Sequence, residues 1–335
     1  MKTFKQKDKV PMTAIQGFLG SGKTTLLNYI LKNNNNLNIG VVVNDFGDIN
    51  IDSKLVKSKS DKKLELSSGC ICCSLQTLDL QEALQQLVYE GSNIDYIIIE
   101  ASGLAEPRDL ATTLRHTLAQ RVVLDSIVTV IDANNIEKNS DQHTLARDQI
   151  IFSDFIVINK IDLVKSDKLK DINKMILAFN PKARIFETKN AELDVRLLLG
   201  QNISKNDISL SEDHNHSHLH EQYDSFSWQT DKALDPMLFQ QFANRCIDNN
   251  IYRAKGIINF GLKGGNRKYI YQLVGVRSDI YWQNWHKDKA ETNLVFIGKE
   301  IDKKFLEKQL IECIDKQPSK PLPEGIELKL PAQID

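Results

Sequence analysis

The stretch that most restricts this chain is "GFLGSGKTT", Gly17 to Thr25, which satisfies G-x-x-x-x-G-K-[ST] through Gly17, Gly22, Lys23 and Thr24. An apolar run, "MTAIQ", comes before it and a helical pattern, "LLNYILK", after it. Strand, glycine-rich loop and helix in that order make a phosphate cradle. The glycines let backbone N–H groups turn inward, and the helix adds its positive N-terminal end. Gly17, Gly20, Ser21, Gly22, Lys23, Thr24 and Thr25 are therefore the candidate nucleotide-binding residues. Lys23 is expected to face the β- and γ-phosphates, with the Thr24 hydroxyl on Mg²⁺. A plain glycine-rich turn is the alternative, and the flanking strand and helix patterns weigh against it.

Such a loop needs a parallel sheet behind it, and the first 200 residues supply one. The runs "MTAIQG", "IGVVVN", "YIIIEA", "VVLDSIVTVID" and "DFIVINK" are nearly continuous in Val and Ile, and amphipathic segments such as 77–89 and 166–179 separate them. Unbroken apolar runs are expected of strands buried on both faces and joined by helical crossovers. The spacing predicts an α/β, doubly wound, mostly parallel domain over residues 10–200. Residues 201–222 are polar and hold His214, His216, His218 and His220, the pattern of a linker with weak affinity for divalent metal. Aromatic and apolar strand patterns between two helical stretches predict a small α+β domain over 223–316. Residues 317–335 form a Pro-containing tail.

Composition closes off other classes. The chain carries 43 basic against 44 acidic residues, which gives no electrostatic case for a nucleic-acid or membrane partner. The N-terminus is charged and has no apolar core of a signal peptide, so a cytoplasmic setting is expected. A homo-oligomer stays open.

Two further segments refine the nucleotide. "NKID", Asn159 to Asp162, follows the strand "DFIVI" and falls where a base is read. The Asp162 carboxylate can accept from N1–H and N2–H₂ of guanine, and adenine offers no donors at those places. Asn159 is expected to hold neighbouring loops and the Lys160 stem to pack along the base, which makes GTP the nucleotide. In "YIIIEASGLAEP" an apolar strand ends in Glu100, placed to organise Mg²⁺ and its waters, and Gly103 can offer its N–H to the γ-phosphate. Lys23, Thr24 and Glu100 are the candidate catalytic residues. The segment from Ser102 to Pro107 reads as one switch, and "VVVNDFGDINID", with Asp45, Asp48 and Asp52, as a second.

Three of the five cysteines, Cys70, Cys72 and Cys73, stand within four positions. Three thiolates on one loop suit Zn²⁺ or another soft or borderline ion, and a replaceable fourth position suits a metal that is to be passed on. A redox pair, Cys70 with Cys73, and simple packing are the other readings. Cys246 and Cys313 lie within apolar helical patterns and read as core residues, and His116, His143 and His286 stand alone.

"GFLGSGKTTLLN", "NDFGDINID", "CICC", "EASGLAEP" and "NKIDLV", in this order, resemble the CobW-like family of metal-associated P-loop GTPases. These are relatives of the accessory GTPases that load nickel into urease and hydrogenase. The likeness continues in "YRAKGIINF", "YQLVG" and "NLVFIGKEID" and so spans nearly the whole chain. It implies slow GTP hydrolysis, handling of zinc or cobalt, and a metal-requiring client protein. One departure stands out: where the family has Asn-Glu-Phe-Gly-Glu, this chain has Asn44-Asp45-Phe46-Gly47-Asp48. The shortened Asp45 is the candidate fourth ligand beside Cys70, Cys72 and Cys73. A GTP-dependent regulator with a structural zinc, and an ATP-dependent thiol enzyme, are the contrasting expectations.

Overall fold

The fold is that of a computed structural model. It describes residues 9–33, 37–44, 63–66, 84, 94–103, 122–137, 144–199, 223–248, 250–285 and 289–318. The chain divides into two compact units, 1–199 and 200–335.

In the first unit seven strands form one sheet: β1 (Val10–Gln16), β2 (Ile39–Asn44), β3 (Lys63–Leu66), β4 (Tyr96–Glu100), β5 (Val122–Asp132), β6 (Phe155–Asn159) and β7 (Arg184–Glu187). Their order is β3-β2-β4-β1-β5-β6-β7, and every pairing is parallel. Consecutive residues Ile97, Ile98 and Ile99 are all fully buried, as are Ile156, Val157 and Ile158. Successive side chains point to opposite faces, so both faces of the sheet are covered. This is why these strands read as unbroken apolar runs. Each such side chain contributes about 1.5–3 kcal/mol when fully withdrawn from water. Among the described residues the helices of this unit are α1 (Lys23–Lys32), α2 (Thr144–Ile151), α3 (Ser166–Phe179) and the single turn α4 (Val195–Leu198). In α3, Ile172 and Ile176 are buried in one cluster with Ile156 and Ile158 of β6.

The strand order places the phosphate loop. β1 is central, its chain leads through α1 to β2 on one side, and the chain from its neighbour β5 leads to β6 on the other. Loops leaving adjacent strands in opposite directions open a crevice beyond their carboxyl ends, the place where such sheets bind ligands.

The second unit is a five-stranded antiparallel sheet in the order β11-β10-β9-β12-β8, built from β8 (Asp224–Thr230), β9 (Ile251–Asn259), β10 (Lys268–Val274), β11 (Arg277–Gln283) and β12 (Thr292–Gly298). α5 (Pro236–Asp248) and α6 (Lys303–Glu312) share its core, where Phe239, Phe242, Tyr271, Phe296, Leu306 and Leu310 pack together. Asp235 accepts the Met237 and Leu238 N–H groups at 2.9 and 3.1 Å and so starts α5, with Pro236 at the position where a missing N–H costs nothing. Lys263 then joins Asp235 at 2.6 Å and Asp315 at 2.9 Å, tying the start of α5 to the segment after α6. Cys246 and Cys313 are buried in this core as free thiols, and desolvation, first among the causes, pushes both up to about 12.

Among the described residues no helix is long and apolar enough to cross a membrane.

Candidate functional site

The phosphate loop is built on left-handed backbone. Gly17, Gly20 and Gly22 have φ of 138°, 74° and 108°. Gly22 is the N-cap of α1, and a Cβ there would lie 2.3 Å from Asn159 Nδ2. Any other residue at Gly22 therefore meets both a strained φ and a collision. The first turn of α1, Lys23-Thr24-Thr25, holds no acid, so its exposed N–H groups and dipole keep their positive character toward an anion. Lys23, buried, reaches the Phe18 carbonyl with Nζ at 3.4 Å and so lies back along the loop. Thr25 is exposed, and Ser21 is buried with an Oγ that meets no hydrogen-bond partner among the described residues. A buried hydroxyl with no partner among the described residues, beside the N-terminal end of α1, suits phosphate oxygens.

Glu100 ends β4, and β4 pairs with β1 so that Ile15 lies beside Glu100. That register brings the carboxylate to α1, where the Thr24 hydroxyl donates to Glu100 Oε1 at 2.7 Å. Glu100 is only 2% exposed. A hydroxyl held by a buried carboxylate keeps its lone pairs available, and oxygen donors of this kind fit a hard cation such as Mg²⁺. After Glu100 the backbone continues along β1, with Ala101 N–H donating to the Ile15 carbonyl at 2.8 Å. Gly103 then comes against the phosphate loop, where a Cβ would stand 2.9 Å from Leu19 N.

At the other side of the crevice Asn159 is the hub. Its Nδ2 donates to the Ser21 carbonyl at 3.0 Å, while its Oδ1 accepts from Lys160 N–H at 2.9 Å and Ala191 N–H at 2.8 Å. One buried amide thus fixes the phosphate loop, the "NKID" loop and the loop 188–191 together. Lys160 has φ of 60°, and its Nζ donates to the Gly20 carbonyl and to Asp132 Oδ2, both at 2.7 Å. Asp162 lies in the short 3₁₀ turn Ile161–Leu163 and is exposed, open to a ligand beside the crevice.

Two contributors escaped the sequence reading. Asp132 is paired with Asn159 in the register of β5 and β6, which sets its carboxylate under Lys160. Burial opposes its ionisation. Hydrogen bonds from Lys160, Asn135 and the Asn134 N–H, with the charge of Lys160, together outweigh that and hold Asp132 below the usual carboxylate value. The loop 188–191 is the other: Asn190 and Ala191 both have φ of 57°, a conformation that costs a non-glycine residue about 1 kcal/mol or more. The hydrogen bond from Ala191 to Asn159 is one of the contacts that keep it there. The only trace of either in the sequence was a strand ending in an acid.

The structure brings together Gly17, Gly20, Ser21, Gly22, Lys23, Thr24, Glu100, Gly103, Asn159 and Lys160. Cys70, Cys72, Cys73 and Asp45 lie outside the described residues, as do Asp48, Asp52, the segment 104–107 and the four linker histidines. Among the described residues no three His, Cys, Asp or Glu side chains gather as for a metal ion.

A parallel sheet with a phosphate loop after its central strand, an acid ending the neighbouring strand and an Asn-Lys-x-Asp loop beyond define a P-loop GTPase. The chain belongs to the CobW family: the family model described as "CobW/HypB/UreG, nucleotide-binding domain" matches residues 11–187, and the "Cobalamin synthesis protein cobW C-terminal domain" matches 223–314. Among relatives, it is 30% identical to the zinc chaperone CobW of Sinorhizobium sp, over 87% of this chain and 93% of that protein. It is 36% identical to the zinc-regulated GTPase metalloprotein activator 1 of Dictyostelium discoideum, over 57% of this chain and 48% of that one. The crystal structure of the Zn(II)-bound YjiA GTPase from E. coli aligns over 92% of this chain and 100% of that chain, at 21% identity and a TM-score of 0.46.

Proposed function

We propose that this chain is a cytoplasmic, slowly hydrolysing GTPase that carries zinc on Cys70, Cys72 and Cys73, with Asp45 as fourth ligand, and hands it to a metal-requiring client. The observation that carries the GTPase half is the bond from Thr24 to Glu100. It sets a hydroxyl and a buried carboxylate at the mouth of the phosphate loop. The cargo half is supported by the three clustered thiols and by relatives that are named zinc chaperones. Co²⁺ shares the ligand preference closely enough to be a competing ion.

In hydrolysis the Lys23 ammonium swings from the Phe18 carbonyl to the β- and γ-phosphate oxygens, and Ser21 Oγ gains the partner it lacks among the described residues. Thr24 and Glu100 would hold Mg²⁺, which when bound would supply charge neutralisation at the phosphates. Glu100 orients the Thr24 hydroxyl throughout, and Gly103 offers its N–H to the γ-phosphate. Asp162 selects guanine, with Lys160 held along the base by Asp132. Because no Arg or Gln stands among these residues to stabilise the transferring phosphoryl group, turnover by the chain alone is slow. The cysteine loop lies in sequence between the two switch segments, so ordering them around GTP completes the zinc site and hydrolysis loosens it.

The test is zinc affinity of the full chain with GDP and with a non-hydrolysable GTP analogue. A coupling of about 1–3 kcal/mol makes zinc roughly 5- to 150-fold tighter in the GTP-analogue form. Equal affinities leave only a structural zinc, and an unchanged zinc content in the Cys70→Ser, Cys72→Ser, Cys73→Ser protein removes the site itself.

A further inference from the structure

Gly103 has no side chain, so whatever aligns it must grip its backbone. Among the described residues a group on another element does so: Gln149, in the last half of α2, donates from Nε2 to the Gly103 carbonyl at 3.4 Å. Gln149 is 1% exposed.

The placing of Gln149 is fixed from behind. Its own carbonyl accepts from Gln16 Nε2 at 3.2 Å, from Thr129 Oγ1 at 2.8 Å and from Ser153 Oγ. Gln16 Nε2 also donates to Thr129 Oγ1 at 3.0 Å. Gln16 is the residue immediately before Gly17, and Thr129 is its register partner on β5. A helix carbonyl that takes three hydrogen bonds from β1, β5 and the loop before β6 cannot slide relative to the phosphate loop without breaking them. The amide at the far end of the same residue therefore carries the position of β1 across to Gly103. On its other side Gly103 is pressed against Leu19 of the phosphate loop. It is held between a loop that surrounds the phosphates and a helix anchored to the strand that bears that loop.

We propose that Gln149 is a positioning residue for the γ-phosphate: it sets the height of Gly103 above the phosphate loop and so the discrimination of GTP from GDP. This rests on the reading of Gly103 as the γ-phosphate contact given above. GDP has no γ-phosphate to meet Gly103, so Gln149 contributes nothing to GDP affinity beyond the general integrity of the fold. A merely structural glutamine would, when replaced, weaken both nucleotides alike.

The experiment measures Kd of the full chain for fluorescent GDP and for a fluorescent non-hydrolysable GTP analogue, with Mg²⁺, in wild type, Gln149→Met and Gln149→Glu. Methionine keeps the volume but cannot donate. Glutamate keeps the shape and turns an acceptor toward the Gly103 carbonyl. The expected result is a GTP-analogue affinity lowered about 5- to 10-fold in Gln149→Met, the factor a hydrogen bond of ordinary net worth supplies, and lowered further in Gln149→Glu. In Gln149→Met, GDP affinity and the melting temperature stay near wild type, and kcat falls with KM for GTP raised; Gln149→Glu buries an uncompensated carboxylate, melts lower and is read on the ratio of the two affinities alone. Equal losses for the two nucleotides, or none, overturn the positioning role. A variant that melts early is judged on the ratio of the two affinities, which misfolded material does not alter. If wild type binds neither nucleotide, the GTPase reading itself fails, an outcome separate from the failure of Gln149.

Discussion

Thr24 and Glu100 stand 76 residues apart in sequence and 2.7 Å apart in space, hydroxyl to carboxylate, one on the first turn of α1 and the other at the end of β4. The contact exists because parallel pairing of β1 with β4 brings both strand ends to the same rim of the sheet. Replacing Glu100 by Gln keeps the size and removes the charge that orients Thr24. Phosphate release at saturating GTP is expected to fall about 100-fold or more, the scale of losing one preorganised electrostatic contact. GDP affinity should move by only a few fold, and a rate within threefold of wild type would exclude Glu100 from the machinery.

Asn159 and Gly22 test the frame itself. A methyl group at Gly22 meets Asn159 Nδ2 at 2.3 Å and takes a φ of 108°. Gly22→Ala should lower affinity for GDP and GTP together by at least about tenfold, since strain of about 1–3 kcal/mol falls on the loop. Isothermal titration with either nucleotide reads it, and unchanged affinity would mean that the loop is not the binding surface.

Asp162 is exposed beside the crevice, as a base-reading carboxylate must be. Asp162→Asn places a donor against two guanine donors. Loss of two charge-assisted hydrogen bonds should weaken GTP about 100-fold, with xanthosine triphosphate gaining. Competition between the two nucleotides measures the exchange, and no gain for the xanthine base would break the assignment.

The Asp132–Lys160 pair gives a pH signature. Asp132 is held below its ordinary carboxylate value, so its contribution is complete above about pH 4, near the unfolded value, and is lost as pH falls through the folded one. Asp132→Asn should remove that acid-side step and raise KM for GTP without changing kcat, if Lys160 serves the base as proposed. A kcat effect larger than the KM effect would contradict this placing.

In the C-terminal unit, the Lys263 clasp also has a calculable sign. Burial works against the Lys263 charge, but the bonds and charges of Asp235 and Asp315 outweigh it and hold the ammonium above its ordinary value. Asp235 is lowered, burial again being outweighed, here by Lys263 and the α5 N–H groups. The lysine contributes at pH below about 10.5 and its share is lost as pH rises through the folded value. The aspartate contributes above about pH 4 and its share is lost on acidification. Lys263→Met strands a buried carboxylate at Asp315 and should cost about 3 kcal/mol in chemical denaturation at pH 7.

The sequence by itself determined the parallel domain, because strands buried on both faces must be apolar at consecutive positions. The runs at 39–44 and 122–132 coincide with β2 and β5, and 166–179 with α3. It also determined the phosphate loop and the Asn-Lys-x-Asp loop, since both are contiguous and need glycine or a specific side chain at fixed spacing. β3 and β7 escaped it: each is four residues long at an edge of the sheet, and a strand such as "RIFE", with charged ends and one buried position, carries no period to read. Asp132 under Lys160, Ala191 on Asn159 and Gln149 on Gly103 were decided only by the tertiary structure. Each joins positions 28 to 46 residues apart, through strand register or helix packing. No local propensity encodes a contact of that kind, because the energy that fixes it comes from burying the sheet as a whole.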